Sequence, residues 1–189
     1  MEKRMAMQPA EFWASVVDGK KHIAGYFVVF DDVYEMPDGT VEQIDRHAAD
    51  GAEKKDIRCL TNHDARLVLG RTQAGTMAIT IDDHGIYADV IINDEDTDAV
   101  NTWARVKRKD VTQASFGFDI ISEKKNRMPD GRTRWLVTEM EIYELTVCTF
   151  PAYESTELQA RAVERTTKRR NNAESWKDNA KRRLKSNGT

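Results

Sequence analysis

Residues 113–118 read Gln-Ala-Ser-Phe-Gly-Phe, and this stretch says most about the fold. Aromatic and small residues alternate along it, as in a strand whose successive side chains point to opposite faces of a sheet. Ser115 projects beside Gln113 and Gly117, and the missing side chain of Gly117 lets another group approach closely. A hydroxyl held this way could be a nucleophile, although a small residue on a polar strand face is the simpler interpretation. The opposite face is predicted to be core and carries Thr112, Ala114, Phe116, Phe118 and Ile120.

The rest of the chain is mostly β in pattern. One amphipathic helix is predicted over residues 94–108, where apolar residues recur at helical spacing and Thr97 can serve as the N-cap. Consecutive strands joined by short turns favour a mainly β fold of the α+β class, built as a small antiparallel β-barrel. The predicted strands are 22–30, 57–60, 67–71, 77–81, 86–92, 111–121 and 133–150.

Composition divides the chain of 189 residues into three parts. Residues 1–21 are predicted to be an N-terminal extension, 22–155 the barrel domain and 156–189 a basic tail, helical or disordered. Residues 154–189 contain 10 Lys and Arg against 5 Asp and Glu, a net charge of +5, which leaves −8 for the rest of the chain. An acidic body with a basic tail indicates that the tail has a binding role of its own.

Several classes of protein do not fit the sequence. No apolar run is long enough to span a bilayer or to form a signal peptide, so no membrane partner is expected. Cys59 and Cys148 do not make a disulfide framework, which fits a reducing cytoplasm. Cys59 and His63 have the spacing of metal ligands but lack a second close pair, and no glycine loop for phosphates occurs, so neither metal nor cofactor is expected. Nucleic-acid binding would have to rest on the tail alone and is not expected either.

A serine becomes a useful nucleophile only when a neighbouring base accepts its proton, and histidine, with an ordinary pKa of about 6.5, suits that exchange. His84 falls in a predicted hairpin turn, His22 begins a strand after two lysines, and His47 lies in a segment of ambiguous pattern. His63 directly follows a short apolar strand. That position would place its side chain at the end of a strand, over a face of the barrel, which makes His63 the best candidate for the base. A satisfied or exposed imidazole is the simpler interpretation of any lone histidine.

A third group should orient the imidazole and stabilise its cation. Glu144 is the preferred candidate, because a carboxylate on a largely apolar strand face is costly without a partner. Glu141, on the other face, is the alternative, and an edge-strand carboxylate without a catalytic role is the simpler interpretation of Glu144. The predicted face of Glu144 also carries Leu136, Met140, Ile142, Thr146 and Cys148.

Five segments follow one another within residues 22–155. They are Ala-Gly-Tyr at 24–26, Asn-His-Asp at 62–64 with Leu-Gly-Arg at 69–71, Asp-His-Gly-Ile-Tyr at 83–87, Ala-Ser-Phe-Gly-Phe at 114–118, and Tyr-Glu-Leu-Thr-Val-Cys-Thr-Phe-Pro-Ala-Tyr at 143–153. Taken together and in this order, they resemble the Caudovirus prohead serine protease family of tailed bacteriophages. Two departures occur: residues 44–52 lack a Pro-Gly-Ala-Phe-like stretch, and Thr-Val-Cys-Thr at 146–149 replaces a more usual Ser-Val-Val-Thr.

The resemblance implies a fold like that of the herpesvirus assemblin protease, a small barrel surrounded by helices. It implies that Ser115 is the nucleophile and His63 the general base, and that Glu144 is the family's acidic strand residue. When a serine attacks a peptide carbonyl, the carbonyl oxygen becomes negatively charged and needs hydrogen-bond donors. The candidates for these donors are backbone N–H groups near Gly117, or an arginine such as Arg71 or Arg134.

The resemblance further implies a serine endopeptidase that is packaged inside the prohead in the host cytoplasm. Its partners would be the major capsid protein or the scaffolding segment of that protein, and it would also cleave itself. Self-association is a further candidate interaction. The basic tail would be a packaging or self-cleavage segment that binds an acidic scaffold. Two other functions stay open: a non-catalytic scaffold or capsid-assembly module on the same fold, and a nucleic-acid-binding protein that uses the tail.

Overall fold

The structure is a computed structural model that describes residues 3–9, 11–36 and 38–149. These residues form eleven strands, one α-helix and one short 3-10 helix at Ala52–Lys54. The helix α1 spans Thr97–Arg108. The strands are β1 (Lys3–Pro9), β2 (Glu11–Val17), β3 (Lys20–Val29), β4 (Val33–Glu35), β5 (Val41–Ile44), β6 (Arg58–Thr61), β7 (Asp64–Arg71), β8 (Met77–Ile81), β9 (Gly85–Ile91), β10 (Gln113–Arg127) and β11 (Thr133–Cys148).

The strands are arranged in two sheets. The larger has the order β1-β10-β11-β5-β4, with β6 also paired to β11 and β7 to β6, and the smaller has the order β2-β3-β9-β8. The predicted mainly β fold with a helix is confirmed. The described strands do not close into a barrel, however, and the single α-helix does not surround them.

Strand β11 organises the larger sheet because it is long enough to hold three partners. One edge pairs antiparallel with β10 along nearly its whole length. Along its other edge the first part of β11 pairs with β5 and the last part with β6, and both of these pairings are parallel. A purely antiparallel arrangement was therefore the wrong expectation. Parallel partners are joined by long crossovers rather than by turns, so turn signals in the sequence could not reveal them.

One face of the β10–β11 pair lies in the hydrophobic core, and on β10 it is the face predicted from the sequence. Ala114, Phe116 and Phe118 are fully buried, and the two phenyl rings stack with their centroids 5.0 Å apart. Opposite them on β11 lie Val147, Leu145 and Ile142. Full burial of a phenylalanine, leucine, isoleucine or valine side chain stabilises a fold by about 1.5–3 kcal/mol. The position of β10 in the larger sheet is therefore strongly determined by its apolar face.

The N-cap of helix α1 lies one residue before the predicted one. Asp96, not Thr97, is the N-cap, and its carboxylate accepts hydrogen bonds from the backbone N–H groups of Asp98 and Ala99. Aspartate is a strong capping residue because its oxygen satisfies amides that have no partner within the helix. The buried Trp103 fastens α1 to the smaller sheet, since its indole N–H donates to the backbone oxygens of Ser15 and His22, both at 3.1 Å.

The segment predicted as an N-terminal extension supplies two strands. Strand β1 pairs with β10 in the larger sheet, and β2 pairs with β3 in the smaller one. The predicted tail at 156–189 lies outside the described residues. Within the described part of the chain, no helix has the length and apolar character needed to cross a membrane.

Candidate active site

His63 lies in a tight turn between β6 and β7. Thr61 pairs with Asp64, so Asn62 and His63 are the two turn residues, and both have a positive φ, 51° and 57°. Positive φ at both central residues is the conformation of a type I′ hairpin turn. Asn62 anchors the turn to β11, because its N–H donates to the oxygen of Val147 at 2.9 Å and its side-chain Oδ1 accepts from the N–H of Thr149 at 2.9 Å. Asparagine tolerates this backbone region well, and the adjoining His63 is thereby held at a fixed place beside β11.

The imidazole of His63 contacts the carboxylate of Glu144. Nδ1 and Oε1 are 2.6 Å apart, and the two side chains are only 19% and 13% exposed. An ionised carboxylate can only accept, so Nδ1 carries the proton of this hydrogen bond. The other ring nitrogen, Nε2, is buried and has no hydrogen-bond partner among the described residues. This is the arrangement in which a histidine can accept a proton at Nε2.

A β-bulge directs Glu144 towards His63. Gly117 pairs with Glu144 while Phe118 pairs with Ile142, which leaves Tyr143 as an extra residue on β11. A bulge of this kind re-aims the side chains that follow it. The prediction that Glu144 shares a face with Ile142 was wrong for this reason: Ile142 lies in the core with Phe118, whereas Glu144 points to the opposite face together with Thr146. Simple period-two counting cannot detect an inserted residue.

Gly117 makes the space that the carboxylate of Glu144 occupies. A Cβ atom added at Gly117 would lie 2.6 Å from Cγ and 2.8 Å from Oε1 of Glu144, and 2.6 Å from Cε2 of Tyr143. Real Cβ contacts are essentially never that short. The missing side chain of Gly117 was expected to let another group approach beside Ser115, and that group is the carboxylate of Glu144.

Ser115 lies two residues before Gly117 and so shares its face of β10. Two residues along a strand span roughly 7 Å, which places the His63–Glu144 pair close to the serine. Thr146 lies directly opposite Ser115 on β11. Ser115 is 0% exposed, and the space beside it at Gly117 is filled by the side chains of Glu144 and Tyr143. A substrate carbonyl can reach this hydroxyl only after the groups that cover it have moved.

The remaining candidates lie elsewhere. Glu141 is 45% exposed, and its nearest cationic contact is Lys55 at 3.8 Å. Arg71 is held by both oxygens of Asp56 at 2.7 Å, and Arg134 donates to the side chain of Gln43 at 2.8 Å. Among the described residues, no group of three or more His, Cys, Asp and Glu side chains could hold a metal ion.

The other three histidines have different surroundings. His22 contacts Asp89, with Nδ1 and Oδ1 2.8 Å apart, on the smaller sheet. His84 is exposed in the β8–β9 turn and meets the ring of Tyr26 edge-on. His47 is 73% exposed beside Asp50.

Sequence reasoning missed two residues that build the site, Asn62 and Tyr143. Asn62 carried a usable signal, because asparagine is a preferred residue of tight hairpin turns and here it stands between two strand-like runs. Tyr143 carried none, since a bulge depends on how two distant strands align.

The negative charge of Glu144 affects the acids around it. Burial is the main reason that the pKa of Tyr143 is raised, and the nearby carboxylate raises it further. The same two causes raise the pKa of the Cys148 thiol to about 12. Burial also raises the pKa of Cys59, with smaller contributions from Cys148 and Glu144. Neither thiol is therefore a nucleophile near neutral pH, because the thiolate is the reactive form.

We expect both cysteines of the folded protein to resist a thiol reagent such as 5,5′-dithiobis(2-nitrobenzoate) at pH 8. The thiols stay protonated at any pH well below their raised pKa values, and burial blocks access as well. In denaturant both should react fully, and absorbance would count the modified thiols. Rapid modification of Cys148 in the folded protein, with loss of cleavage, would point to a thiol mechanism instead.

Replacing Gly117 with alanine should impair cleavage although no proposed catalytic group is altered. The new methyl group must displace the Glu144 side chain, so we expect a loss of about 10²–10⁴-fold in kcat and a destabilisation of about 1–3 kcal/mol. Cleavage rates and denaturant unfolding would measure both effects. In a Glu144→Gln background the same change should cost little more activity, because coupled residues are not additive. Equal fold losses in both backgrounds would show that Gly117 acts independently of Glu144.

Three comparisons with known proteins bear on the identity of the chain. A search of curated proteins finds no significant match. Among solved structures, the bacteriophage T4 capsid assembly protease, gp21, aligns over 80% of this chain and 100% of its own, with a TM-score of 0.46 and 12% sequence identity. Residues 11–170, most of the chain, match the family model described as Caudovirus prohead serine protease. The chain therefore belongs to the Caudovirus prohead serine protease family.

Proposed function

We propose that this protein is a serine endopeptidase of phage capsid maturation in which Ser115, His63 and Glu144 form the catalytic triad. Membership of the family makes it a prohead protease in general terms. The observation that carries the triad is the 2.6 Å contact between His63 and Glu144, made in the space that Gly117 leaves on the face of Ser115.

The proposed reaction is acyl transfer. The Oγ atom of Ser115 forms a bond to the scissile carbonyl carbon, the carbonyl electron pair moves to its oxygen, and the hydroxyl proton passes to Nε2 of His63. Glu144 keeps the other ring proton on Nδ1 and stabilises the imidazolium. When the electron pair returns, the C–N bond breaks and His63 gives its proton to the leaving amine. Water then attacks the ester with His63 again as base, which frees the second product and regenerates Ser115.

We propose the scaffolding segment of the major capsid protein as substrate, with self-cleavage as a second reaction. Both would take place inside the prohead in the host cell. Confinement raises the effective concentration of enzyme and substrate, so a protease with few substrate contacts could complete its work there. The basic tail would serve as a packaging or self-cleavage segment that binds an acidic scaffold, since residues 154–189 carry a net charge of +5.

Processing of the major capsid protein, co-expressed with this chain, tests the proposal. We expect His63→Ala to leave the capsid subunit at full length, because no base then accepts the serine proton. His47→Ala is the matched control: His47 is exposed beside Asp50 and should be dispensable for cleavage. Mass spectrometry of assembled particles would identify the products. Wild-type processing by His63→Ala would exclude the proposed mechanism.

One observation favours a different function, a non-catalytic assembly module on the same fold. Ser115 is fully buried, as expected of a serine with a structural role. In that case particle assembly would depend on the chain, whereas processing of the capsid subunit would be the same with and without the hydroxyl of Ser115.

A further inference from the structure

We propose that Thr146 is a catalytic residue whose hydroxyl donates a hydrogen bond to the substrate oxygen as that oxygen becomes negative. This proposal rests on the proposed function, because it concerns the same reaction. Thr146 lies on β11 between Glu144 and Cys148, and the strand pattern predicted only its place on one face of the strand.

The hydroxyl of Thr146 is buried without a partner. The residue is 0% exposed, and its Oγ1 has no hydrogen-bond partner among the described residues. Buried hydroxyls are nearly always paired, because leaving water without gaining a hydrogen bond is unfavourable. Valine has almost the same shape and would fill this strand position without that cost. An unpaired threonine here therefore requires an explanation other than packing.

Several buried polar atoms near Ser115 have no hydrogen-bond partner among the described residues: Nε2 of His63, Oγ1 of Thr146, and Oε1 of Gln113 and Oδ1 of Asp119 on the same face of β10. Of these only the Thr146 hydroxyl can donate, because amide and carboxylate oxygens accept and Nε2 is the nitrogen left to accept a proton. Thr146 is the residue directly opposite Ser115 in the antiparallel pair β10–β11. Side chains opposite each other point to the same face, with Cβ atoms about 4.5–5.5 Å apart. A carbonyl carbon bonded to Oγ of Ser115 would therefore hold its oxygen within reach of a donor on Thr146.

The chemistry requires such a donor. When Ser115 attacks, the carbonyl electron pair moves to the oxygen, and the charge that appears there is absent from the starting peptide. A preformed donor in a dry site stabilises this charge more than it stabilises the neutral carbonyl, which accelerates the reaction. Arg71 cannot supply it as it stands, because both oxygens of Asp56 hold its guanidinium group. Arg134 is too distant, because it pairs with Asn126 near the other end of the β10–β11 pair, whereas Thr146 pairs with Ser115.

Thr146→Val tests the proposal, since it removes the hydroxyl and keeps the shape. We expect kcat to fall by about 10²–10³-fold with KM little changed, as for the loss of one oxyanion donor. Stability should not fall, because an unpaired buried polar group has been removed. Thr146→Ser keeps a hydroxyl and should recover most of the lost rate. Thr146→Ala provides the same test of activity if the valine variant does not fold.

Thr102→Val is the matched control. Thr102 is also buried, but its hydroxyl donates to the backbone oxygen of Asp98 at 2.9 Å. We expect this variant to lose stability and to keep its kcat, the opposite of Thr146→Val.

The outcomes separate this proposal from the proposed function. A wild-type kcat for Thr146→Val, together with an inactive Ser115→Ala, would overturn the role of Thr146 alone. Loss of activity and stability together, without rescue by Thr146→Ser, would also overturn it, since that is the result of a packing defect. An active Ser115→Ala would instead show that the proposed function itself is wrong.

Discussion

Replacing Ser115 with alanine is expected to reduce cleavage of the capsid subunit by roughly four to six orders of magnitude, because the attacking atom is removed. The fold should persist, with a change in unfolding free energy of about 1 kcal/mol, the usual net contribution of one hydrogen bond. Product formation by the purified chain, followed by mass spectrometry, and denaturant unfolding would measure the two quantities.

Ser122→Ala is a suitable control for this experiment. Ser122 lies on the same strand β10, is exposed, and accepts a hydrogen bond from Thr138 at 3.2 Å. The control should cleave like the wild type. If Ser115→Ala also cleaved at a comparable rate while remaining folded, the nucleophile would have to be sought elsewhere in the chain.

Glu144→Gln is the second change with a large expected effect. Glutamine can offer an N–H to Nδ1 of His63 and so favours the tautomer with its proton on Nε2, which cannot accept the serine proton. A comparable change in a serine protease triad lowers kcat by about 10⁴-fold, and we expect a similar loss here. The pKa of Cys148 should fall at the same time, because the negative charge that raises it is gone, although burial, its main cause, remains.

Glu141→Gln is the matched control and decides between the two glutamates considered from the sequence. Glu141 is half-exposed and nearest to Lys55, so its replacement should leave the cleavage rate close to that of the wild type. The reverse result, with Glu141→Gln inactive and Glu144→Gln active, would contradict the assignment of the third triad member. Titration of the thiols against pH would check the effect on Cys148 independently.

Local patterns in the sequence were good guides to individual elements. The apolar runs predicted β3 and the β8–β9 hairpin, and helical spacing predicted α1, since these elements depend on neighbouring residues. Alternation along β10 correctly placed Ala114, Phe116 and Phe118 in the core, whereas Thr112, assigned to the same face, is exposed and precedes the strand. The missing side chain of Gly117 also indicated that another group lies close to β10 there, but it did not identify that group as Glu144.

Features that depend on distant residues were not predictable in this way. The parallel pairing of β5 and β6 with β11 depends on which strand edges are free in the folded chain, and so does the inclusion of β1 and β2 in the two sheets. The bulge at Tyr143 is a shift in the pairing register of two strands, and neither strand carries a sequence signal for it. The burial of Ser115 likewise follows from what packs over its face and not from the polarity of its neighbours.

A crystal structure of the protein treated with a fluorophosphonate tests the central claim most directly. The claim is that an imidazole oriented by a carboxylate activates the hydroxyl of Ser115. We predict phosphorus bonded to Oγ of Ser115, with Nε2 of His63 within about 2.6–3.2 Å of that oxygen. Nδ1 of His63 should still be hydrogen-bonded to the carboxylate of Glu144. A phosphonylated residue other than Ser115, or an imidazole of His63 too distant to reach Oγ by side-chain rotation, would contradict it.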